Sequence, residues 1–131
     1  REAGLRPTKQ RVKICEVLFN SEKTFHFTIN DLAKKISEDL NEKISLATVY
    51  NTVHHFEKKG YLKEIAINSD KSYFDTNTSA HHHFYDEDTH ELIDCHQNDI
   101  DSINIKNNVT GKKVKSVEVL IKVASDNQNQ N

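Results

Sequence analysis

The sequence has few cysteines and no long apolar run. Its 131 residues include two cysteines, Cys15 and Cys95, which lie far apart, so neither a disulfide framework nor a four-cysteine zinc site is predicted. No stretch approaches the roughly 20 apolar residues of a membrane span, and no signal-peptide pattern occurs. We therefore expect a cytoplasmic protein without a membrane partner.

Motifs of common enzymes are also missing. The sequence contains no His-Glu-x-x-His motif and no recognisable nucleophile constellation, so an enzyme is not predicted. Three consecutive histidines, at residues 81–83, are nevertheless typical of binding to transition metals or haem iron. A small metal-dependent enzyme therefore stays open as an alternative from a different class, as does a solvated histidine run without function.

Neither sign of charge dominates the chain, whose net charge is -2. Residues 1–78 carry 13 Lys and Arg against 11 Asp and Glu, which gives +2, and residues 79–131 carry 5 against 9, which gives -4. The mildly basic first part permits nucleic-acid binding. Clustering of charge on one face matters more than this sum.

Three segments of the first part have the apolar spacing of short helices. The first covers about residues 8–19, the second follows Thr28 as its cap, and the third begins at Ser45 and ends at Gly60. Small hydroxyl residues favour helix starts and glycine favours a left-handed stop. Residues 61–67 and 71–77 then predict a hairpin. Three helices and a hairpin are typical of a winged helix, whose third helix enters the major groove of DNA.

Three further strand-like runs follow, at residues 82–85, 92–95 and 117–123. With so few apolar positions, this second part would be only marginally stable as an isolated domain, so we expect self-association. The predicted class is α+β: a winged helix over residues 1–78, a small α/β dimerisation domain over 79–124, and a disordered tail over 125–131.

Several separate motifs carry a resemblance to a known family. In order, they are residues 4–11 (GLRPTKQR), 45–52 (SLATVYNT), 72–77 (SYFDTN) and 81–84 (HHHF). Over about residues 4–95 the chain resembles the ferric uptake regulator family, and within it the iron response regulator branch, which senses iron through haem. The resemblance implies a transcriptional regulator that binds A·T-rich operator DNA as a homodimer or higher oligomer. It also implies a response to haem or to divalent iron, manganese or zinc; a zinc, manganese or peroxide regulator stays open.

The third helix is expected to carry most of the DNA contacts. Its outward candidates are Thr48, Tyr50, Asn51 and Thr52, which suit phosphates, adenine edges and thymine methyls. The family places a DNA-contacting tyrosine at the position of Tyr50, although helical geometry alone also allows a boundary core residue there.

Three basic residues are further DNA candidates. Arg6 resembles the residue that family members insert into a narrow minor groove, and Arg11 and Lys71 are expected to contact phosphates. Each can equally be an ordinary solvated charge.

The family's sensory site, carried over residue by residue, implies metal ligands at His26, Asp75, His81 and His83. On an extended segment residues two apart share a face. One residue before the triplet is extra relative to the family, however, so whether His81 or His82 pairs with His83 stays open. His26 can equally pack in a local apolar patch and Asp75 can cap a turn.

In the iron response branch the triplet His81, His82 and His83 is associated with haem. The sequence departs from the wider family after the triplet, where Glu87 and His90 stand in place of a Cys-x-x-Cys zinc pair. No histidine follows His96, so the family's second metal site is not expected. The Cys-Pro haem motif of some branch members is absent too.

Overall fold

The computed structural model describes residues 8–96 and 98–126. The chain divides into two compact units, one ending at Thr78 and one beginning at Ser79. Among the described residues, no helix is both long and apolar enough to cross a membrane. The elements in chain order are α1 Lys9–Phe19, β1 His26–Phe27, α2 Ile29–Leu40, α3 Leu46–Lys58, β2 Lys63–Ala66, β3 Ser72–Asp75, β4 His83–Asp86, β5 Glu91–Asp94 and β6 Leu120–Val123.

Local hydrogen bonds explain where the three helices begin. The hydroxyl oxygens of Thr8, Thr28 and Ser45 each accept, at 3.1 Å, the backbone N–H of the third residue that follows. This satisfies a donor that the first helical turn would otherwise leave unpaired. After α3, Gly60 adopts φ 84°, a conformation that costs glycine little. The predicted helix starts and the predicted stop are confirmed.

The helices of the first unit pack on a small antiparallel sheet in the order β1-β3-β2. β2 and β3 form the predicted hairpin, with Glu64 opposite Phe74. The short strand β1 was not predicted, and it pairs with β3 through His26 opposite Asp75. The core that joins helices and sheet consists of Ile14, Leu18, Phe27, Leu32, Ala33, Ile36, Ile44, Val49, Val53, Phe56, Leu62 and Phe74.

The second unit is a three-stranded sheet in the order β5-β4-β6. β4 pairs antiparallel with β5 and parallel with β6, and its inward side chains include the buried Tyr85. Within residues 79–96 and 98–126 there is no helix, so the second unit is simpler than the predicted α/β arrangement. The α+β class of the whole chain is confirmed.

The connection to β6 and the end of the chain carry two further features. Between β5 and β6 the chain exposes Ile105, Val109 and Val114. Of the predicted disordered tail, Ser125 donates its backbone N–H and its hydroxyl to Asp88, and residues 127–131 lie outside the described residues. These hydrogen bonds hold the pKa of Asp88 below its ordinary value.

Candidate metal centre

The β4–β5 pair brings the histidine triplet next to an acidic residue. β4 begins at His83 and β5 ends at Asp94, and the antiparallel register places these two residues opposite each other. His83 points inward and is 4% exposed. Because side chains of directly opposite residues project from the same face of a sheet, the carboxylate lies beside the imidazole.

His81 completes this cluster. The Oδ1 atom of Asp94 lies 3.1 Å from Nε2 of His83 and 3.4 Å from Nε2 of His81. The two imidazole rings are 4.2 Å apart between centroids, and the three residues each place a ligand atom within 4.8 Å of the others. Two imidazole nitrogens and a carboxylate oxygen are a donor set that divalent zinc, iron and manganese accept. His81, not His82, therefore pairs with His83.

A hydrogen bond orients the ring of His81 for binding. Its Nδ1 lies 2.8 Å from the carbonyl oxygen of Ser79. A carbonyl oxygen can only accept, so Nδ1 carries the proton, and in the neutral ring Nε2 has the lone pair. Metal-ligating histidines commonly donate their second nitrogen to a carbonyl in this way. The chemistry of these residues thus fits a divalent ion.

His82 has a different contact. Its Nδ1 accepts the backbone N–H of Val119 at 2.9 Å, and its carbonyl accepts the N–H of Cys95 at 3.0 Å. His82, the residue before β4, therefore bonds to the residue before β6 and to the residue after β5. With Nδ1 as acceptor, the neutral ring has its proton on Nε2, so in this conformation neither nitrogen offers a lone pair to an ion.

A cavity of about 410 Å³ lies in the same unit beside the triplet. The thiol of Cys95 is part of the lining of this cavity. Burial, together with the carboxylates of Asp99 and Asp94, raises the pKa of this thiol. A raised pKa disfavours the thiolate, which is the form that binds metals. The cavity is lined by Ala80, His81, His82, Cys95, His96, Ile100, Asp101, Ser102, Ile103 and Val117.

The other two predicted metal ligands lie in the first unit. Asp75 is 2% exposed, and its Oδ1 accepts the backbone N–H of Asn77 at 2.8 Å. His26, opposite it in the sheet, meets the ring of Tyr73 edge to face with centroids 6.1 Å apart. Both residues therefore have contacts within their own unit, and their predicted role as ligands stays a prediction.

The structure separates the predicted DNA contacts on α3 into two groups. Tyr50 and Asn51 are exposed and Thr48 is half-buried, with its hydroxyl 2.9 Å from that of Ser45. Thr52, in contrast, is 0% exposed, and its hydroxyl donates to the carbonyl of Thr48 at 2.8 Å. The prediction that Thr52 contacts DNA is wrong, because the helical turn points this residue into the core.

The basic candidates remain predictions. Arg11 and Lys71 are half-buried, and Nζ of Lys71 lies 5.5 Å from the ring centroid of Tyr73. Arg6 lies outside the described residues.

Comparison with known proteins identifies the family. The profile of the ferric uptake regulator family matches residues 2–123. The chain belongs to the ferric uptake regulator family. It is 36% identical over 115 residues to the peroxide operon regulator of Bacillus subtilis, covering 87% of this chain and 77% of that protein. It is 34% identical over 107 residues to the ferric uptake regulation protein of Pseudomonas fluorescens, covering 81% of this chain and 85% of that protein.

A solved structure agrees with this assignment. The ferric uptake regulator of Vibrio cholerae superposes with a TM-score of 0.66 and 27% identity, and the match covers 95% of each chain. The two sequence relatives of this ferric uptake regulator family member are named as regulators, and the expectation that the chain is not an enzyme stays a prediction.

Asp94 is the site residue that sequence reasoning missed. The available signal was the hairpin formed by the predicted strands 82–85 and 92–95, because a register with His83 opposite Asp94 puts the carboxylate beside the triplet. Lone acidic residues at strand ends are common, and only the register distinguishes this one.

Proposed function

We propose that this protein is a metal-responsive transcription regulator in which a divalent ion held by His81, His83 and Asp94 changes the affinity of a homodimer for operator DNA. The observation that carries the proposal is the convergence of three ligand atoms within 4.8 Å of one another. The hydrogen bond from His81 to Ser79 supports it, because it presents the lone pair of Nε2 for binding.

The residues themselves define what the ion would do. His83 and Asp94 lie on adjacent strands, and His81 precedes β4, so a shared ion would tie the segment before β4 to the end of β5. The same segment continues from β3, which carries Asp75. We propose that His26 and Asp75 add ligands to this ion, as the family resemblance implies. Iron, manganese and zinc all fit the donor set.

Operator binding is proposed for the winged helix. The exposed Tyr50 and Asn51 of α3 offer an aromatic ring and an amide, groups that recognise thymine methyls and adenine, which supports an A·T-rich operator. Dimerisation is proposed for the second unit, whose exposed Ile105, Val109 and Val114 would be covered by a second copy. One winged helix reads one half-site, so a dimer suits a pseudo-palindrome.

Selection of DNA from a random pool tests this function directly. Wild-type protein with Mn²⁺ should enrich duplexes with an A·T-rich inverted repeat. Affinity for an enriched duplex should then change at least about fivefold when a chelator removes the ion, since coupling between two sites is commonly worth 1–3 kcal/mol. If no sequence is enriched, or if the chelator leaves affinity unchanged, the proposal is wrong.

Haem is a second candidate ligand, and it would make the protein a regulator of iron homeostasis of the iron response branch. The supporting observation is the 410 Å³ cavity, in which the imidazoles of His82 and His96 and the thiol of Cys95 stand beside apolar side chains. Haem ligation by His82 would require its hydrogen bond with Val119 to break.

Adding haem to the purified protein distinguishes the two ligands. If haem is the signal, adding it should shift the Soret band and release the operator. Changing residues 81–83 to alanine should abolish this release. Without haem, the affinity of the triple variant for operator should stay within about tenfold of wild type, or 1.4 kcal/mol. By linkage, operator must weaken haem binding by the same factor. Release that persists in the triple variant excludes the triplet as haem sensor.

A further inference from the structure

His82, the middle residue of the triplet, makes hydrogen bonds on both sides of β4. Its Nδ1 accepts the backbone N–H of Val119, the residue before β6, at 2.9 Å. Its carbonyl oxygen accepts the backbone N–H of Cys95, the residue after β5, at 3.0 Å. The backbone N–H of His83 donates to the carbonyl oxygen of Val119, also at 3.0 Å. Both backbone polar groups of Val119 are therefore bonded to the triplet, one through a side chain and one through the main chain.

The bond from Val119 to the imidazole replaces a bond that a regular sheet would make between main chains. Strands β4 and β6 are parallel, and in a parallel ladder the hydrogen bonds are evenly spaced along each strand. One further step of this ladder beyond His83 would join the N–H of Val119 to the carbonyl oxygen of His81. That N–H instead donates to the ring of His82. The segment that carries His81 is therefore attached to β6 by a side chain.

The two hydrogen bonds of His82 surround the candidate ligands. His82 lies between His81 and His83 in the chain, and Cys95 directly follows Asp94. The Nε2 atoms of His81 and His83 lie 3.4 and 3.1 Å from Oδ1 of Asp94. A displacement of His82 would therefore move the main chain that carries ligands on both strands of this pair.

We propose that His82 is a positioning residue of the metal centre, which holds the three ligands in their arrangement and couples the ion to the start of β6 without binding the ion itself. The inference rests on the proposed metal binding. Changing a residue that orients the ligands of a metal site commonly lowers metal affinity by about 10- to 100-fold. Because coupling is reciprocal, an ion that stabilises this arrangement must also stabilise the bond between His82 and Val119.

Titration of Mn²⁺ into wild-type protein, His82→Leu and His82→Asn tests the positioning role. Leucine has no acceptor, whereas Oδ1 of asparagine is as many bonds from the main chain as Nδ1 of histidine and can accept the N–H of Val119. His82→Leu should therefore bind Mn²⁺ about tenfold more weakly, and His82→Asn should agree with wild type within about twofold. Tyr85→Phe is the matched control, because it removes one hydrogen bond of the same sheet, from the Tyr85 hydroxyl to Nδ1 of His90 at 3.1 Å, and it should keep wild-type affinity.

Hydrogen exchange measures the reciprocal effect and needs no substitution. Zn²⁺, a diamagnetic ion that the same donors accept, should slow exchange of the Val119 amide in wild type by about tenfold. Exchange of the Ser125 amide, which donates to Asp88, should stay unchanged. The slowing at Val119 should persist in His82→Asn and be absent from His82→Leu.

Three results would overturn the proposal: unchanged exchange at Val119 in Zn²⁺-loaded wild type, wild-type Mn²⁺ affinity in His82→Leu, or equal losses of affinity in His82→Leu and His82→Asn. In each of these cases wild type still binds the ion, so the proposed metal centre stands. Failure of wild type to bind Mn²⁺ or Zn²⁺ would refute the metal centre itself, and this inference with it.

Discussion

Changing Asp94 to asparagine should strongly weaken binding of a divalent ion. Asp94 supplies the negative charge among the three clustered donors, and its Oδ1 lies 3.1 and 3.4 Å from the two Nε2 atoms. Two unit charges 4 Å apart near a protein surface interact by about 4 kcal/mol. Because this side chain is 56% exposed, solvent screens part of that energy, and we expect a loss of about 2–3 kcal/mol, which is roughly 100-fold in affinity.

Titration of Mn²⁺ into the purified protein, followed by the electron paramagnetic resonance signal of the free ion, measures this loss. Glu91→Gln is the matched control, because it removes a carboxylate from the other end of β5, where the side chain is exposed. The control should keep wild-type affinity. An Asp94→Asn protein that binds Mn²⁺ within about threefold of wild type, with an unchanged thermal unfolding midpoint, would refute Asp94 as a ligand.

Three further outcomes are expected. Tyr50→Ala should weaken binding to the selected duplex by about 1–3 kcal/mol in anisotropy titrations and binding to a scrambled duplex much less; equal losses would return Tyr50 to a packing role. Arg6→Ala should make the slope of log affinity for DNA against log salt concentration shallower by about one unit. An unchanged slope would show that Arg6 does not contact DNA. Because the pKa of the Cys95 thiol is raised, iodoacetamide should alkylate this thiol slowly at neutral pH. The reaction should become faster only at pH values above the ordinary pKa range of thiols, and a fast reaction at pH 7 would contradict this prediction.

The parts of the fold that local chemistry determines could be predicted from the sequence. The caps at Thr8, Thr28 and Ser45 act over three residues, and apolar periodicity acts within one helix, so the three helices and the hairpin follow from short windows. Strand β1 has two residues, His26 and Phe27, and depends on pairing with β3. No local pattern of that length marks a strand, because its hydrogen bonds come from residues far along the chain.

In the candidate site, too, local sequence predicts some features and tertiary contacts determine the others. The triplet is visible in the sequence, but the choice of His81 over His82 depends on which ring reaches Asp94 and which reaches Val119. Thr52 was misplaced because it neighbours exposed residues in sequence, whereas a helix rotates by about 100° per residue and turns it inward. Both outcomes depend on packing and register, which single-sequence patterns do not encode.

Pulsed electron paramagnetic resonance of the Mn²⁺-loaded protein tests the central claim most directly, because it detects nitrogen nuclei bound to the ion. The account predicts couplings from directly bound imidazole nitrogens that include His81 and His83, with one coupling lost in His81→Gln and another in His83→Gln. The spectrum of His82→Gln should keep both couplings. Spectra of the His81 and His83 variants that match wild type would contradict a metal centre at this position.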